Sequence, residues 1–346
     1  MMLKNFTFNQ LNLNNPRQFT MWKDFLRKNN LNMEEGADYA VGVFNDEQLI
    51  ATASFRNNVI KYIAISKEYR NSGLLGELLS HITTVLAQKG IYHHFIYTKP
   101  SLSRSFQYFG FKEIASTDKV ALLERSTKGI EFFRKELAKF KTTEKTVGCI
   151  VMNANPFTKG HLYLVEKASQ FCDIIHIFLV EEDISYFSFE SRYTLVMKGI
   201  SHLRNVYLHT GGSYMISQAT FPSYFLESNK QVAETQAELD AVLFKNKIAP
   251  VLNITKRFIG DEPFSATTNL YNQQLKRILE PEIEVIQIRR CATDDGITIS
   301  ASKVRDLFKQ GNLEEINKYV PIHTYDYLSE IVNNDSVMGL NEGDIQ

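Results

Sequence analysis

Two different hydrophobic periods divide the chain. Residues 38–65 alternate between apolar and polar positions and are interrupted by turns that contain Asn or Asp, a pattern that predicts three strands. The pattern then predicts a helix over 71–90, a strand over 91–99, a short helix over 102–110 and closing strands over 111–115 and 119–124. The first half is therefore expected to form a mixed, antiparallel-rich α/β domain over residues 1–125.

From residue 146 onwards, short apolar strands alternate with longer helices. The predicted strands are Val147–Met152, Ile174–Val180, Val206–His209, Lys256–Ile259 and Glu284–Arg289. This alternation predicts a doubly wound, Rossmann-like parallel sheet, and ligands of such sheets bind at the carboxyl ends of the strands. Residues 126–145 are polar and predict a linker helix, so the expected division is 1–125, 126–145 and 146–346.

The composition argues against several classes of protein. Hydrophobic residues make up 44% and charged residues 23% of the 346 residues, which is typical of a soluble globular protein. Lys+Arg and Asp+Glu both number 39, so no excess of positive charge points to nucleic acid. No apolar run approaches the ~18 residues that a membrane span needs, and no apolar leader is visible. Three scattered cysteines without CxxC spacing predict free thiols and a cytoplasmic location.

The first stretch with chemical content is NANPFTKGHLYLVEKA, residues 153–168, which follows the first strand of the parallel sheet. A helix that begins here presents free backbone N–H groups and the positive end of its dipole, which suits a phosphate. Gly160 lets a ligand approach the backbone, and Thr158 and His161 share a face of the first turn. His161 can then donate to a phosphate oxygen as negative charge develops. The alternative is an ordinary turn with a capping Thr and a surface His.

A second helix start follows the last strand of the same sheet, in TISASKVRDLFKQG, residues 298–311. Ser300 and Ser302 open this helix, and Arg305 lies in its second turn, where a guanidinium can clamp a phosphate. Taken alone, the stretch fits an ordinary Ser cap beside a solvated Arg better than a phosphate site. Two such helix starts after the first and last strands of one sheet together favour a nucleotide site.

The two motifs, T-x-G-H and I-S-x-S-x-x-R, resemble those of the nucleotidyltransferase superfamily, which hold a nucleoside triphosphate while its α-phosphorus is attacked. The resemblance implies catalytic roles for Thr158, His161 and Arg305. Ala301 stands where many members have Ser. The residues that the resemblance assigns to ATP are Asn155, Gly160, Arg192, Gly260, Ile299, Ser300 and Ser302.

Four stretches narrow the resemblance to the [citrate (pro-3S)-lyase] ligase family: IVMNANPFTKGH, GGSYMISQATFPSYFL, RFIGDEPFSATTNLYN and ITISASKVR. The resemblance implies that the chain activates acetate as acetyl-adenylate with ATP. It then implies acetylation of the thiol on the dephospho-coenzyme-A-derived prosthetic group of the citrate lyase acyl carrier protein, with release of AMP and pyrophosphate. Mg²⁺ is expected with ATP, although the sequence shows no set of metal ligands.

The first half carries its own phosphate-type loop, in ISKEYRNSGLLGELLSHI. Backbone N–H groups near Arg70 and Gly73 precede a helix and can take a pyrophosphate. The stretch resembles the R-x-x-G-x-G/A loop of GCN5-type acetyltransferases, which implies an acetyltransferase-like domain able to hold a pantetheine or coenzyme-A-type arm. Leu75 stands where that loop has a small residue. His93 and His94 alternate across a strand and are expected to be buried or solvated rather than catalytic.

Two other functions stay open at this point. One is a plain nucleotidyltransferase that acts on a phosphorylated small molecule, which would need further basic residues for the acceptor's phosphate. The other is a non-catalytic regulator that binds a nucleotide or an acyl carrier. The presence of both complete motifs argues against this second alternative. Residues 211–228, rich in Gly, Ser and Tyr, are expected to form either an acetate pocket or a packed connecting loop.

Overall fold

The chain divides into two units, each built around its own sheet. The structure, a computed structural model, describes residues 6–33, 36–181, 185–215, 221, 224, 226, 229–261, 266–292 and 296–341. The first unit comprises Met1–Glu136 and Phe221–Leu243, and the second comprises Leu137–Thr220 and Phe244–Gln346.

The strands are β1 (Thr7–Gln10), β2 (Tyr39–Asn45), β3 (Gln48–Arg56), β4 (Val59–Ile65), β5 (His94–Thr98), β6 (Lys112–Ser116), β7 (Ala121–Arg125), β8 (Val147–Met152), β9 (Ile174–Leu179), β10 (Val206–Thr210), β11 (Lys256–Gly260) and β12 (Glu284–Ile288). The helices are α1 (Pro16–Lys28), α2 (Leu74–Gln88), α3 (Pro100–Gln107), α4 (Ile130–Leu137), α5 (Lys159–Phe171), α6 (Phe189–Gly199), α7 (Asn229–Leu243), α8 (Ala249–Leu252), α9 (Ala266–Leu279), α10 (Ala301–Lys309), α11 (Leu313–Ile316) and α12 (Ile322–Asn341). Among these helices, none is both long enough and apolar enough to span a membrane. Strands β2 to β12 follow one another in the predicted order, whereas β1 and α1 had no place in the sequence prediction.

The first unit is built on a seven-stranded sheet in the order β1-β2-β3-β4-β5-β7-β6. The pair β4–β5 is parallel, and the other neighbouring pairs are antiparallel. Helix α2 covers this sheet with apolar residues that recur three and four positions apart, and Leu78, Ile82 and Leu86 are fully buried there. Gly90 follows this helix in the left-handed conformation, with φ of 77°, which stops it where the sequence predicts.

The second unit is built on a five-stranded parallel sheet in the order β10-β9-β8-β11-β12. Ile150, Ile177 and Phe258 are buried in one core cluster with Val165 and Ala168 of α5. Because all strands are parallel, their carboxyl ends lie along one edge, where β8 leads into α5. The mixed sheet and the parallel sheet confirm the predicted fold class, and strands β8 to β12 match their predicted bounds within one residue at each end.

The division of the chain differs from the expected one in the segment Phe221–Leu243. The sequence assigned it to the region 146–346, whereas the structure packs it with the first unit. Aromatic burial explains the difference: the Tyr224 ring lies 4.7 Å from that of Tyr62, and the Phe221 ring lies 5.5 Å from that of Tyr97.

The predicted linker over 126–145 contains a shorter helix than expected. Helix α4 continues into a 3₁₀ turn at Ala138–Phe140, and the division between the units falls between residues 136 and 137. The predicted division into 1–125, 126–145 and 146–346 itself stays a prediction.

Candidate active site

A cleft of about 580 Å³ opens at the carboxyl ends of β8, β11 and β12 in the second unit. Its walls come from both motifs, from α9 and from the end of β12. The residues that line it are Val151, Met152, Asn153, Ala154, Asn155, Thr158, Gly160, His161, Tyr163, Leu164, Arg257, Phe258, Ile259, Gly260, Thr268, Tyr271, Asn272, Leu275, Ile288, Arg289, Arg290, Cys291, Ile299, Ser300, Ala301, Ser302 and Arg305. Nine of the sequence-predicted nucleotide residues are thus brought together here.

Helix α5 begins with a reciprocal cap between Thr158 and His161. The Thr158 hydroxyl accepts the backbone N–H of His161 at 3.3 Å, and Nδ1 of His161 accepts the backbone N–H of Thr158 at 3.1 Å. A second contact, of 2.9 Å, joins the Thr158 hydroxyl to the same Nδ1. Thr158 is therefore a capping residue, and the same cap holds the His161 imidazole against the first turn of α5.

The His161 ring is neutral in this environment. It stacks on Phe157 with a centroid separation of 5.9 Å and an interplanar angle of 14°. Burial, with the positive charge of Arg290 as a second cause, lowers the pKa of His161 to about 4. Because Nδ1 accepts a hydrogen bond, the proton of the neutral ring is assigned to Nε2, which can donate to a ligand.

The second motif lies against the first. Ser300 caps α10 by accepting the backbone N–H of Lys303 at 3.2 Å. A side-chain carbon added at Gly160 would lie 3.5 Å from Ile299, so the first turn of α5 passes close to the residue before that cap. The N-termini of α5 and α10 therefore meet in one cleft, and the positive ends of their dipoles suit an anion.

Arg305 joins the two motifs directly. Its Nη1 donates to the backbone oxygen of Asn155 at 2.6 Å, and its Nη2 donates to the Ser302 hydroxyl at 2.9 Å. The Asn155 side chain in turn accepts the backbone N–H of Phe187 at 3.1 Å. These bonds hold the guanidinium of α10 beside the turn that follows β8.

Arg192 lies beneath this turn and does not line the cleft. It is fully buried, and its Nη1 donates to the backbone oxygens of Asn153 and Val180 at 2.7 and 2.9 Å, while Nε donates to that of Phe187 at 3.2 Å. In the same turn Ala154 has a φ of 48°, a strained value that persists only when the surroundings hold it. Arg192 supplies such support, and its predicted contact with a nucleotide stays a prediction.

Positive charge dominates the cleft. Four arginines line it, at 257, 289, 290 and 305, whereas none of its described lining residues is an aspartate or a glutamate. At Gly260, which ends β11, no described residue other than its chain neighbours lies within 4 Å of an added side-chain carbon. Over the described part of the chain, no group of three or more His, Cys, Asp or Glu residues is placed to hold a metal ion. The positive charge of the four arginines suits an anionic ligand.

The loop predicted to bind a pantetheine arm lies in the first unit. Arg70 is exposed, and Gly73 has a φ of 84° as the residue that precedes α2, with no side-chain cap on the helix. Leu75 packs against the core of the unit instead of standing in the loop. At Gly76 an added side-chain carbon would meet the Phe109 ring at 2.7 Å, so this partly exposed ring would have to shift to admit a larger residue.

Several lining residues had no place in the sequence prediction. Arg289 and Arg290 form a basic pair directly after an apolar strand, which is a signal that sequence reasoning can use. Arg257 is a charged residue within the apolar strand β11, which is also a signal in the sequence. Asn272 has no such signal, and its role is visible only in the structure, where its amide donates to the backbone oxygen of Gly260 at 3.2 Å. In residues 211–228, the described side chains of Tyr214, Met215, Phe221, Tyr224 and Leu226 are buried, and none lines the cleft.

A parallel α/β sheet with two capped helix starts and an arginine-rich cleft at its carboxyl edge defines a nucleotide-binding unit of the nucleotidyltransferase kind. Residues 147–328 match the family model for the citrate lyase ligase C-terminal domain. The chain belongs to the [citrate [pro-3S]-lyase] ligase family, as its motifs predict, and is an enzyme.

Curated relatives extend the match to nearly the whole chain. The [citrate [pro-3S]-lyase] ligase of Klebsiella pneumoniae is 37% identical over 90% of this chain and 92% of the relative. That of Escherichia coli K12 is 36% identical over 96% of both chains. A phosphopantetheine adenylyltransferase of Streptococcus sanguinis is 36% identical over 51% of this chain and 88% of its own length.

Proposed function

We propose that the second unit binds ATP in the arginine-lined cleft and uses it to activate acetate as acetyl-adenylate. Membership of the citrate lyase ligase family supports an ATP-dependent ligase that acetylates the acyl carrier protein of citrate lyase. The observation that carries the assignment of the site is the convergence of His161, Arg305 and both helix N-termini on one cleft.

The first step is a displacement at the α-phosphorus of ATP. A carboxylate oxygen of acetate forms the new P–O bond, the bond to the bridging oxygen of the β-phosphate breaks, and pyrophosphate leaves. The residues of this chain supply position and charge: Nε2–H of His161 donates to a phosphate oxygen as its charge grows, and Arg305 holds the phosphates. Thr158 fixes the imidazole through its cap, while the N-terminal N–H groups of α10 at Ser302 add neutral donors.

Mg²⁺ is proposed to enter with ATP, held by phosphate oxygens. Mg²⁺ commonly binds through substrate phosphates and water with few protein ligands. Its charge would be added to that of the arginines on the leaving pyrophosphate.

The second step transfers the acetyl group to a thiol. The thiolate of the carrier's prosthetic group attacks the acetyl carbon, a C–S bond forms, and AMP leaves as the C–O bond breaks. We assign the exposed loop at Arg70 and Gly73 to the phosphate of that dephospho-coenzyme-A-derived arm, because a helix start without a side-chain cap leaves N–H groups free for an anion. A cytoplasmic location stays a prediction from the three free cysteines.

Pyrophosphate release tests the function. The full chain is incubated with ATP and Mg²⁺, with and without acetate, and with and without the deacetylated carrier protein. Release that requires acetate, followed by carrier acetylation, is the expected result. Release that instead requires a phosphorylated acceptor would indicate a plain nucleotidyltransferase, and ATP binding without turnover under every condition would indicate a regulator.

A further inference from the structure

A buried arginine lies in the depth of the cleft, and no step above uses it. Arg257 of β11 pairs in register with Cys149 of β8, and the next residues, Phe258 and Ile150, pair with each other. Successive strand residues face opposite sides of a sheet, and Phe258 and Ile150 belong to the core cluster that includes α5. Arg257 therefore faces the other side of the sheet, where it is 2% exposed and lines the cleft.

The guanidinium of Arg257 is poorly satisfied. Its Nη1 donates to Sγ of Cys149 at 3.6 Å, and its Cζ lies 4.6 Å from the centroid of the Phe244 ring. Its Nε is buried and has no hydrogen-bond partner in the part of the chain that the structure describes. None of the ion pairs found among the described residues involves it. A buried charge without an anionic partner is costly, and an arginine keeps its charge. An anion that enters from the cleft would complete this site.

We infer that Arg257 binds the carboxylate of the acid that the enzyme activates, an assignment that rests on the proposed function. Arg257 comes three residues before Gly260 at the end of β11, which is about 10 Å along a strand. The remaining arginines of the cleft, such as Arg290 and Arg305, follow strand ends or helix starts at its rim and are more exposed. The polyphosphate therefore belongs at the rim and a small anion in the depth.

The surroundings of Arg257 also fit acetate. Ile259 and Leu275 line the cleft, and the Phe244 ring packs on the guanidinium, so apolar groups are available for a methyl group. A planar guanidinium binds a carboxylate through two parallel hydrogen bonds, which fixes its orientation. Such a site holds the carboxylate of the substrate in one fixed orientation within the cleft.

The test compares two substitutions in the full chain. Arg257→Met removes the charge and keeps a side chain of similar length. Arg257→Lys keeps the charge but loses the planar guanidinium that can donate two parallel hydrogen bonds. In acetate-dependent ATP–pyrophosphate exchange, we expect the KM for acetate to rise about tenfold to a hundredfold in Arg257→Met and by less in Arg257→Lys, because a charged hydrogen bond is lost. The KM for ATP should stay unchanged. The melting temperature should not fall, because replacing an unpaired buried charge by an apolar chain is often neutral or stabilising.

Arg204→Met is the matched control, since Arg204 is exposed and does not line the cleft. Acetate dependence in the wild type with an unchanged acetate KM in Arg257→Met would overturn this assignment alone, as would an equal rise of both KM values. No acetate dependence in the wild type would overturn the proposed function and the assignment with it. If Arg257→Met does not fold, the acetate KM of Arg257→Lys decides in the same way.

Discussion

The backbone N–H of Thr158 donates to Nδ1 of His161 across 3.1 Å, so a single bond both caps α5 and directs the imidazole proton to Nε2. Protonation of Nδ1 would break the cap, which adds a structural reason for the ring to stay neutral. The residue that begins the helix thus sets the chemical state of the residue assigned to catalysis.

Replacing His161 should separate the cap from the chemistry. His161→Ala should raise the activation free energy of acetyl-adenylate formation by ~3–4 kcal/mol, because one transition-state donor is lost. The rate should fall roughly a hundred- to thousandfold. His161→Asn offers an acceptor to the Thr158 N–H and should stay nearer wild-type stability while also losing rate. Exchange kinetics and thermal melts measure both effects. His202→Ala is the control, since His202 is exposed and pairs with Glu166, and wild-type turnover in folded His161→Ala would exclude a catalytic role.

Stability should fall in mild acid. Burial lowers the pKa of His161 and His209 to about 4 and that of His176 to about 3, from an ordinary value of 6.5. Between these values the unfolded chain binds more protons than the folded one. The contribution of these histidines to the free energy of unfolding is therefore fully present above pH 6.5 and is lost as the pH falls towards 4. Denaturant melts from pH 7 to pH 5 measure the loss, which should reach a few kcal/mol.

The buried pair His176–His209, with ring nitrogens 2.9 Å apart, provides the control for that pH dependence. The double variant His176→Leu/His209→Phe replaces both partners by apolar groups, which can be nearly neutral at pH 7. It should lose less stability than the wild type on going to pH 5. An unchanged acid dependence would show that other groups cause it.

Arg305 should matter more than Ser302 for ATP. Arg305→Ala removes a charged clamp and should weaken ATP binding or slow adenylation about tenfold to a hundredfold, whereas Ser302→Ala removes a neutral bond and should cost a few-fold. Titration with ATP and exchange kinetics distinguish binding from rate. Asp306→Ala, at an exposed position of α10, should change neither. A larger defect in Ser302→Ala would contradict the role given to Arg305.

The loop of the first unit should affect only the second step. Arg70→Ala should raise the KM for the carrier protein several-fold and leave acetate-dependent ATP–pyrophosphate exchange unchanged, since Arg70 is exposed and lies outside the cleft residues. Gly73→Val should act in the same direction, because a β-branched residue is strained at a φ of 84°. Arg17→Ala, an exposed arginine elsewhere in the unit, is the control. An unaltered carrier KM in both loop variants would remove this loop from the transfer step.

The sequence by itself determined strands β2 to β12 and the two motifs. Strands β8 to β12 agree with the hydrophobic pattern because the period of a strand depends on neighbouring residues alone. The caps at Thr158 and Ser300 are also local, since each involves a partner three residues away. The family resemblance depends on the same motifs and is confirmed.

Only the tertiary structure decided which charges meet and which segments pack together. Arg305 contacts Asn155 across 150 positions of the chain, and Arg192 is committed to backbone oxygens at the ends of two strands rather than to the cleft. The segment Phe221–Leu243 packs with the first unit although it interrupts the second in sequence. Arg257 has no local signal beyond a charge within an apolar strand. A hydrophobic pattern predicts that a residue is buried. Which residues it contacts depends on how distant strands pair and on the face of the sheet where its side chain lies.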